Sequence, residues 1–188
     1  MSVRVPWKDR IVFVCGLLVC SAFLGVAFGP SWASPTENHN APVVVELKLD
    51  GEVEPVLANY IDEGLADYPD QAFDYVILSQ TLQETTNPVR VLREMMRVGK
   101  WAIVSFPNFG NWRVRLSMLL SGQAPKTKLF PYNWYDSPNI HFLTVRDFEQ
   151  LAVQEGFRVE QRYFVAGESR ISMFPNLMAE TAVYLVTR

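Results

Sequence analysis

The chain has 188 residues, a formal net charge of −3, 49% hydrophobic and 20% charged residues. That is ordinary globular composition, enough for one compact domain. Its acidic balance and scattered basic residues exclude a phosphate-tracking nucleic-acid surface.

The chain opens on Arg4, Lys8 and Arg10, followed by Ile11–Phe28, eighteen residues without a charge. Gly29-Pro30 breaks the run, and Ser31-Trp32-Ala33 places small residues at the −3 and −1 positions of a cleavage site. Residues 1–33 therefore read as a secretory signal peptide, with an uncleaved apolar helical anchor or a misassigned start as alternatives. A lipoprotein signal is not expected, because Cys15 and Cys20 each follow Val. Cleavage after Ala33 removes both cysteines of the chain, and with them any disulfide, thiolate nucleophile or Cys-based metal site.

Residues 34–42 are polar, contain two prolines and read as a linker. Val43–Asp50 alternates apolar and charged residues, as a half-buried strand does. Gly51 turns the chain into a predicted helix that begins near Pro55 and fades by Tyr68-Pro69. Phe73–Leu78 is an apolar run expected to form a strand buried on both faces. Asn87-Pro88 starts the next helix as N-cap and N1. Its stripe of Val89, Leu92, Met95 and Met96 is expected to be buried, with Gly99 as C-cap. Arg90, Arg93 and Arg97 form a separate face, read as solvated. Trp101–Phe106 is a further buried strand, and Asn111–Ser121 a predicted amphipathic helix.

Gly122–Phe142 is a loop rich in proline and aromatics. Thr144 and Asp147 form a capping-box pattern opening a helix that Gly156 ends. Phe157–Val165 and Ala182–Thr187 are strand candidates expected to pair antiparallel at the sheet edge. His39 in a linker and His141 in the aromatic loop do not assemble a metal site. His141 is either a general base or substrate-loop residue, or a hydrogen-bonded structural histidine.

The strings FDYVILSQTLQ, VSFPNFGNWR and YDSPNIHFLTVRDFE carry a specific resemblance. From about Asp62 to Arg188 the chain resembles the methionine biosynthesis protein W (MetW-like) family of the class I S-adenosylmethionine-dependent methyltransferase superfamily. The resemblance implies an α/β fold: a partial Rossmann-like methyltransferase sheet, with the later strands retained and an N-terminal hydrophobic helix outside it. Phe73–Leu78 is then the fourth strand and Trp101–Phe106 the fifth. Their following loops place Ser79, Gln80, Thr81 and Asn108 at the cofactor cleft; alternatively these residues only satisfy backbone groups in tight turns. Trp112, Tyr132, Trp134, Tyr135 and His141 form the implied substrate or partner loop. Trp112 and the neighbouring arginines are either interface anchors or a helix packing Trp112 inward.

The superfamily's Gly-rich turn after the first strand, and the acid after the second, are not recognised upstream of Asp62. Instead, VVVELKLDGEVEPVLANYIDEGL and the leader resemble the opening of NfeD-type, ClpP-like membrane serine proteases, whose catalytic residues lie in segments absent here. The expected organisation is thus a leader (1–33), a linker (34–42), a strand–helix unit (43–65) and a MetW-like part (66–188), with a fusion junction at Ile61–Leu65. The implied function is a non-catalytic partner supporting homoserine O-acyltransferase, with S-adenosylmethionine binding lost. The alternatives are an active S-adenosylmethionine-dependent methyltransferase and a non-functional chimera. The leader implies export or membrane attachment, whereas the biosynthetic role implies the cytoplasm.

Overall fold

A computed structural model describes residues 64–188, together with the backbone of two upstream strands, β1 (Ile11–Cys15) and β2 (Val44–Lys48). β3 (Phe73–Ser79), β4 (Gly99–Pro107), β5 (Arg158–Ala166), β6 (Ser169–Arg170) and β7 (Thr181–Thr187) complete one seven-stranded sheet of order β2-β1-β3-β4-β7-β5-β6. The first four neighbours run parallel. β7 is antiparallel to both β4 and β5, and β6 closes a hairpin with β5.

The leader is where expectation and structure differ most. Over Ile11–Cys15 the chain is not the hydrophobic helix expected but a strand, held in parallel register between Val44–Lys48 and Tyr75–Ser79. A short apolar run cannot be assigned to helix or strand by periodicity alone. Here the β-branched Ile11, Val12 and Val14 suit a central parallel strand. The rest of the leader, the cleavage site, the linker and most of the helix expected over 55–68 lie outside the described residues. Among the described residues no helix is long and apolar enough to cross a membrane. The strand expected at Val43–Asp50 is present as β2, within the same sheet rather than in a separate unit.

Helix α1 (Pro88–Val98) starts as its sequence dictates: the Asn87 side chain accepts from the Arg90 N–H at 3.0 Å. Its buried stripe contains Leu92, Met95 and Met96 as expected, with Val91 and Val98 added and Val89 only half-buried. Gly99 is not a left-handed cap. Its backbone is extended (φ −115°) and leads directly into β4. Glycine is needed there because a Cβ would sit 2.5 Å from Val76 Cγ2.

The arginine face of α1 is only partly a solvated one. Arg93 grips Glu155 in a bidentate pair at 2.6 and 2.9 Å, tying α1 to helix α3 (Val145–Glu155). Arg97 donates to the carbonyls of Leu65 and Tyr68 and pairs with Asp70 and Glu94, holding the turn before β3.

α3 has both halves of its capping box, and Gly156 ends it at φ 72°. It packs Phe148 into a ring cluster with Phe106 of β4 and Tyr184 of β7, centroids 4.5 to 5.9 Å apart. Helix α2 (Trp112–Ser121), capped by Asn111 and Gly122, buries only Val114. The four-residue helix α4 (Pro175–Met178), the hairpin strand β6 and a 3-10 turn at Leu82–Glu84 were not anticipated from the sequence.

Candidate functional site

In an open α/β sheet, ligands bind beyond the carboxyl ends of the strands, where strand order reverses. Here β2 and β3 flank β1, so the reversal lies between β1 and β3. The register aligns Cys15, Ser79 and Ser105 in one row at that edge. The segment following β1 lies outside the described residues, so the described side of the cleft is built by the chain leaving β3 and β4.

That chain turns sharply. Gln80 takes a left-handed φ of 54°, uncommon for a residue with a side chain. Its N–H donates to the Ser105 carbonyl at 2.9 Å, and its side-chain amide reaches Ser105 Oγ at 3.4 Å. Ser79 and Gln80 are half-buried. Thr81 is fully buried and donates to the Ser79 carbonyl at 2.8 Å. Asn108, also fully buried, is a junction between loops. Its amide donates to the carbonyls of Asn176 and Ala179 at 3.2 and 2.9 Å, and its oxygen accepts from Gly110 and Val145 N–H groups at 2.9 and 3.3 Å. Thus Ser79 and Gln80 sit half-buried at the carboxyl end of β3, while Thr81 and Asn108 hold the loops there.

The 3-10 turn brings in residues the sequence reading did not single out. The Gln83 amide donates to the Gln80 carbonyl at 2.7 Å and to Glu84 at 3.4 Å. Burial pushes the Glu84 carboxyl up from 4.5 to about 7, opposed by the hydrogen bond from Gln83. The Gln83 carbonyl accepts from both Ile140 and His141 N–H groups at 3.0 Å, latching the aromatic loop onto the turn. Only the position of an acid between an apolar strand and the Asn87-Pro88 cap could have flagged Glu84, and burial of that acid is a tertiary property.

The aromatic loop divides into an inner and an outer set. Phe109 stacks on Phe130 at 3.6 Å and meets Phe142 edge-on at 4.8 Å. Tyr132 and His141 are half-buried, whereas Trp134 and Tyr135 are 79% and 71% exposed and touch each other. Trp112 is not packed inward: it is 39% exposed, with the Arg113 guanidinium 5.1 Å from its ring centre. Arg113 also pairs with Glu180, and Arg115 donates to the Gly110 carbonyl, so neither is simply solvated. Next to them a cavity of about 660 Å³ is lined by Arg113, Val114, Lys128, Ala166 and Glu180. A second cavity, of about 410 Å³, opens at the amino end of β4, away from the cleft.

Comparison with known proteins agrees with this fold. The family model for methionine biosynthesis protein MetW matches residues 46–186. It begins upstream of the boundary expected near Asp62 and takes in most of β2, so the segment that resembles a protease opening falls largely within this match. A bifunctional methionine biosynthesis protein MetXA/MetW from Rhodopirellula baltica is 40% identical over 128 residues, 65% of this chain. The chain spans 20% of that relative's length. Among solved structures, an S-adenosylmethionine-dependent methyltransferase from Mesorhizobium loti superposes with a TM-score of 0.53 at 17% identity, covering 98% of this chain and 94% of its own. One from Methanosarcina mazei gives 0.50 at 14% identity with the same coverage. At such identities the likeness is one of fold.

Proposed function

Because the chain belongs to the MetW family of methionine biosynthesis proteins, we propose that it serves as a methyltransferase-fold partner of a homoserine O-acyltransferase rather than as a methyltransferase. The observation that carries this reading is the Rhodopirellula baltica relative, whose name joins a MetXA part to a MetW part in one polypeptide. Two functions fused in one chain stay at high effective concentration, and we take the MetXA part to be the acyltransferase. The outer surface supports the same reading. Helix α2 and the aromatic loop carry Leu119, Leu120, Trp134 and Phe142 at 70% exposure or more, and exposed apolar side chains in number mark protein contacts.

Of the four side chains expected at a cofactor, Thr81 and Asn108 have their polar atoms committed to loop carbonyls and N–H groups. Ser79 and Gln80 remain on the described side of the cleft. The test mixes the purified chain with the acyltransferase. Co-elution in gel filtration and a change in acyl-transfer rate are expected. Separate elution and an unchanged rate refute the proposal.

A second reading, an active methyltransferase, is favoured by one observation: β1 frames the cleft from the side opposite β4, as a first strand does. Titration calorimetry with S-adenosylmethionine separates the two. Micromolar binding supports the enzyme, and its absence supports the partner role.

A further inference from the structure

We propose that the cavity beside α2 binds a small organic carboxylate with a short apolar body. The proposal goes beyond the partner role and does not rest on it. At about 660 Å³, the cavity has the ordinary size of a small-molecule site. Its place in the fold is equally ordinary for one. Pro107 of β4 and Val165 of β5 both pair with Thr181, so the ends of β4 and β5 meet the start of β7. The cavity is lined from that meeting point: Gly167 follows β5, Glu180 precedes β7, and Arg113 and Val114 lie on the helix after β4. It thus opens on the sheet edge that carries the carboxyl ends of the parallel strands, the edge where such sheets bind ligands.

The charged lining is unbalanced. Glu180 is already engaged through both oxygens: one accepts from the Arg113 guanidinium at 2.5 Å, the other from the Gly167 N–H at 2.9 Å. Arg113 gives that carboxylate one Nη, and its planar fork carries further donors. Among the described residues the Lys128 ammonium has no hydrogen-bond or ion-pair partner. Two cations therefore line one cavity against a single, occupied carboxylate. Thr127 adds a hydroxyl. Its Oγ1 accepts from the Phe130 N–H at 3.2 Å, which leaves the O–H to donate.

These groups specify an anion. An ammonium entering the cavity meets two like charges, and a neutral ligand leaves Lys128 without a counter-charge. The apolar part of the lining specifies the body of the ligand. Val114 is 2% exposed and Leu129 half-buried, so both offer hydrocarbon surface that inorganic phosphate cannot use. A carboxylate on a short aliphatic chain satisfies both halves of the lining.

The test follows the backbone amide NMR signals of Lys128, Leu129 and Gly167 in the full isotope-labelled chain. The probes are valerate and 2-oxovalerate, set against valeramide, pentylamine and inorganic phosphate. A saturable shift at these amides with at least one acid is expected, with a Kd of about 1 mM or below. Valeramide and pentylamine are expected to give none, and phosphate to bind more weakly than the acid. Lys128→Met, at an exposed residue without partners among the described residues, is expected to keep the fold and weaken the acid about tenfold, the scale of one lost hydrogen bond between charged groups. Lys128→Arg keeps the charge and is expected to weaken it less. No saturable response to either acid overturns the proposal. So does an equal response to valeramide or pentylamine, phosphate binding as tight as the acid's, or unaltered binding in Lys128→Met. The titration uses the chain alone, so its failure leaves the partner role to be decided by co-elution.

Discussion

Gly99 stands where α1 runs into β4 without a loop, and no side chain fits there. A Cβ would approach Val76 Cγ2 to 2.5 Å and the Met95 carbonyl to 3.1 Å. Gly99→Ala is expected to destabilise the chain by about 1–3 kcal/mol, the range for overpacking a filled core. Urea unfolding measures it, and a loss below about 0.5 kcal/mol shows that the sheet yields. The sequence marked this glycine as the C-cap of α1, which it is, with its N–H donating to the Met95 carbonyl, but gave no sign of the second constraint. A glycine after a helical run resembles a C-cap, and the close approach of β3 is invisible until the strands are paired. Glu84 carries a second residue-scale consequence. Its folded value of about 7 lies above the 4.5 of an unperturbed glutamate, so the folded chain holds the proton more tightly. Stability from this group is complete below pH 4.5 and is lost as the pH rises through about 7. Between those values the midpoint of denaturant unfolding is expected to fall with pH, and Glu84→Gln is expected to flatten that slope. An unaltered slope in the variant rules out Glu84 as its source.

Among the elements, those with local chemistry at their ends were the most legible. Asn87-Pro88 and the Thr144/Asp147 box fix where α1 and α3 begin, because side chains within three residues satisfy the first free N–H groups. β5 and β7 pair antiparallel as their sequences suggested. α4 and β6 were illegible because they are very short and owe their place to distant partners, such as the Asn108 and Asn111 amides that bind the 176–179 carbonyls. The candidate site divides along the same line. FDYVILSQTLQ pointed to Ser79 and Gln80 as cleft candidates, whereas the latch from His141 to Gln83 depends on a loop more than fifty residues away in sequence. Helix α2 is a different case. It was expected to be amphipathic, yet Leu116, Met118, Leu119 and Leu120 are all exposed. Apolar side chains spread around a helix indicate cover from elsewhere. With the acyltransferase as that cover, Leu119→Ser with Leu120→Ser is expected to weaken the complex about tenfold or more, as loss of anchor residues does. The unfolding temperature should stay essentially unaltered, because exposed substitutions shift stability by only about 0.5 kcal/mol. Complex formation at full strength in a binding assay moves the interface off α2.

At the scale of the whole molecule, the leader and the sheet make incompatible demands on residues 11–15. A secretory signal is cut away, whereas these residues form β1, among the described residues the one neighbour of β2 and the inner neighbour of β3. Removal of residues 1–33 takes away both of β1's ladders, from Ile11↔Val44 to Cys15↔Lys48 and from Ile11↔Tyr75 to Cys15↔Ser79. Among the described strands β2 then has none to pair with, and β3 becomes an edge with unpaired backbone N–H and C=O groups, a template for association. The full-length chain is expected to unfold in one cooperative transition. The chain beginning at Ser34 is expected to unfold broadly and to elute as larger species in gel filtration. The same reasoning extends to the cell. If β1 is integral to the fold, mass spectrometry of the chain recovered through a C-terminal tag should detect peptides from residues 1–33. Their absence, together with cooperative unfolding of the shorter chain, would establish that the leader is discarded and that the sheet begins without it.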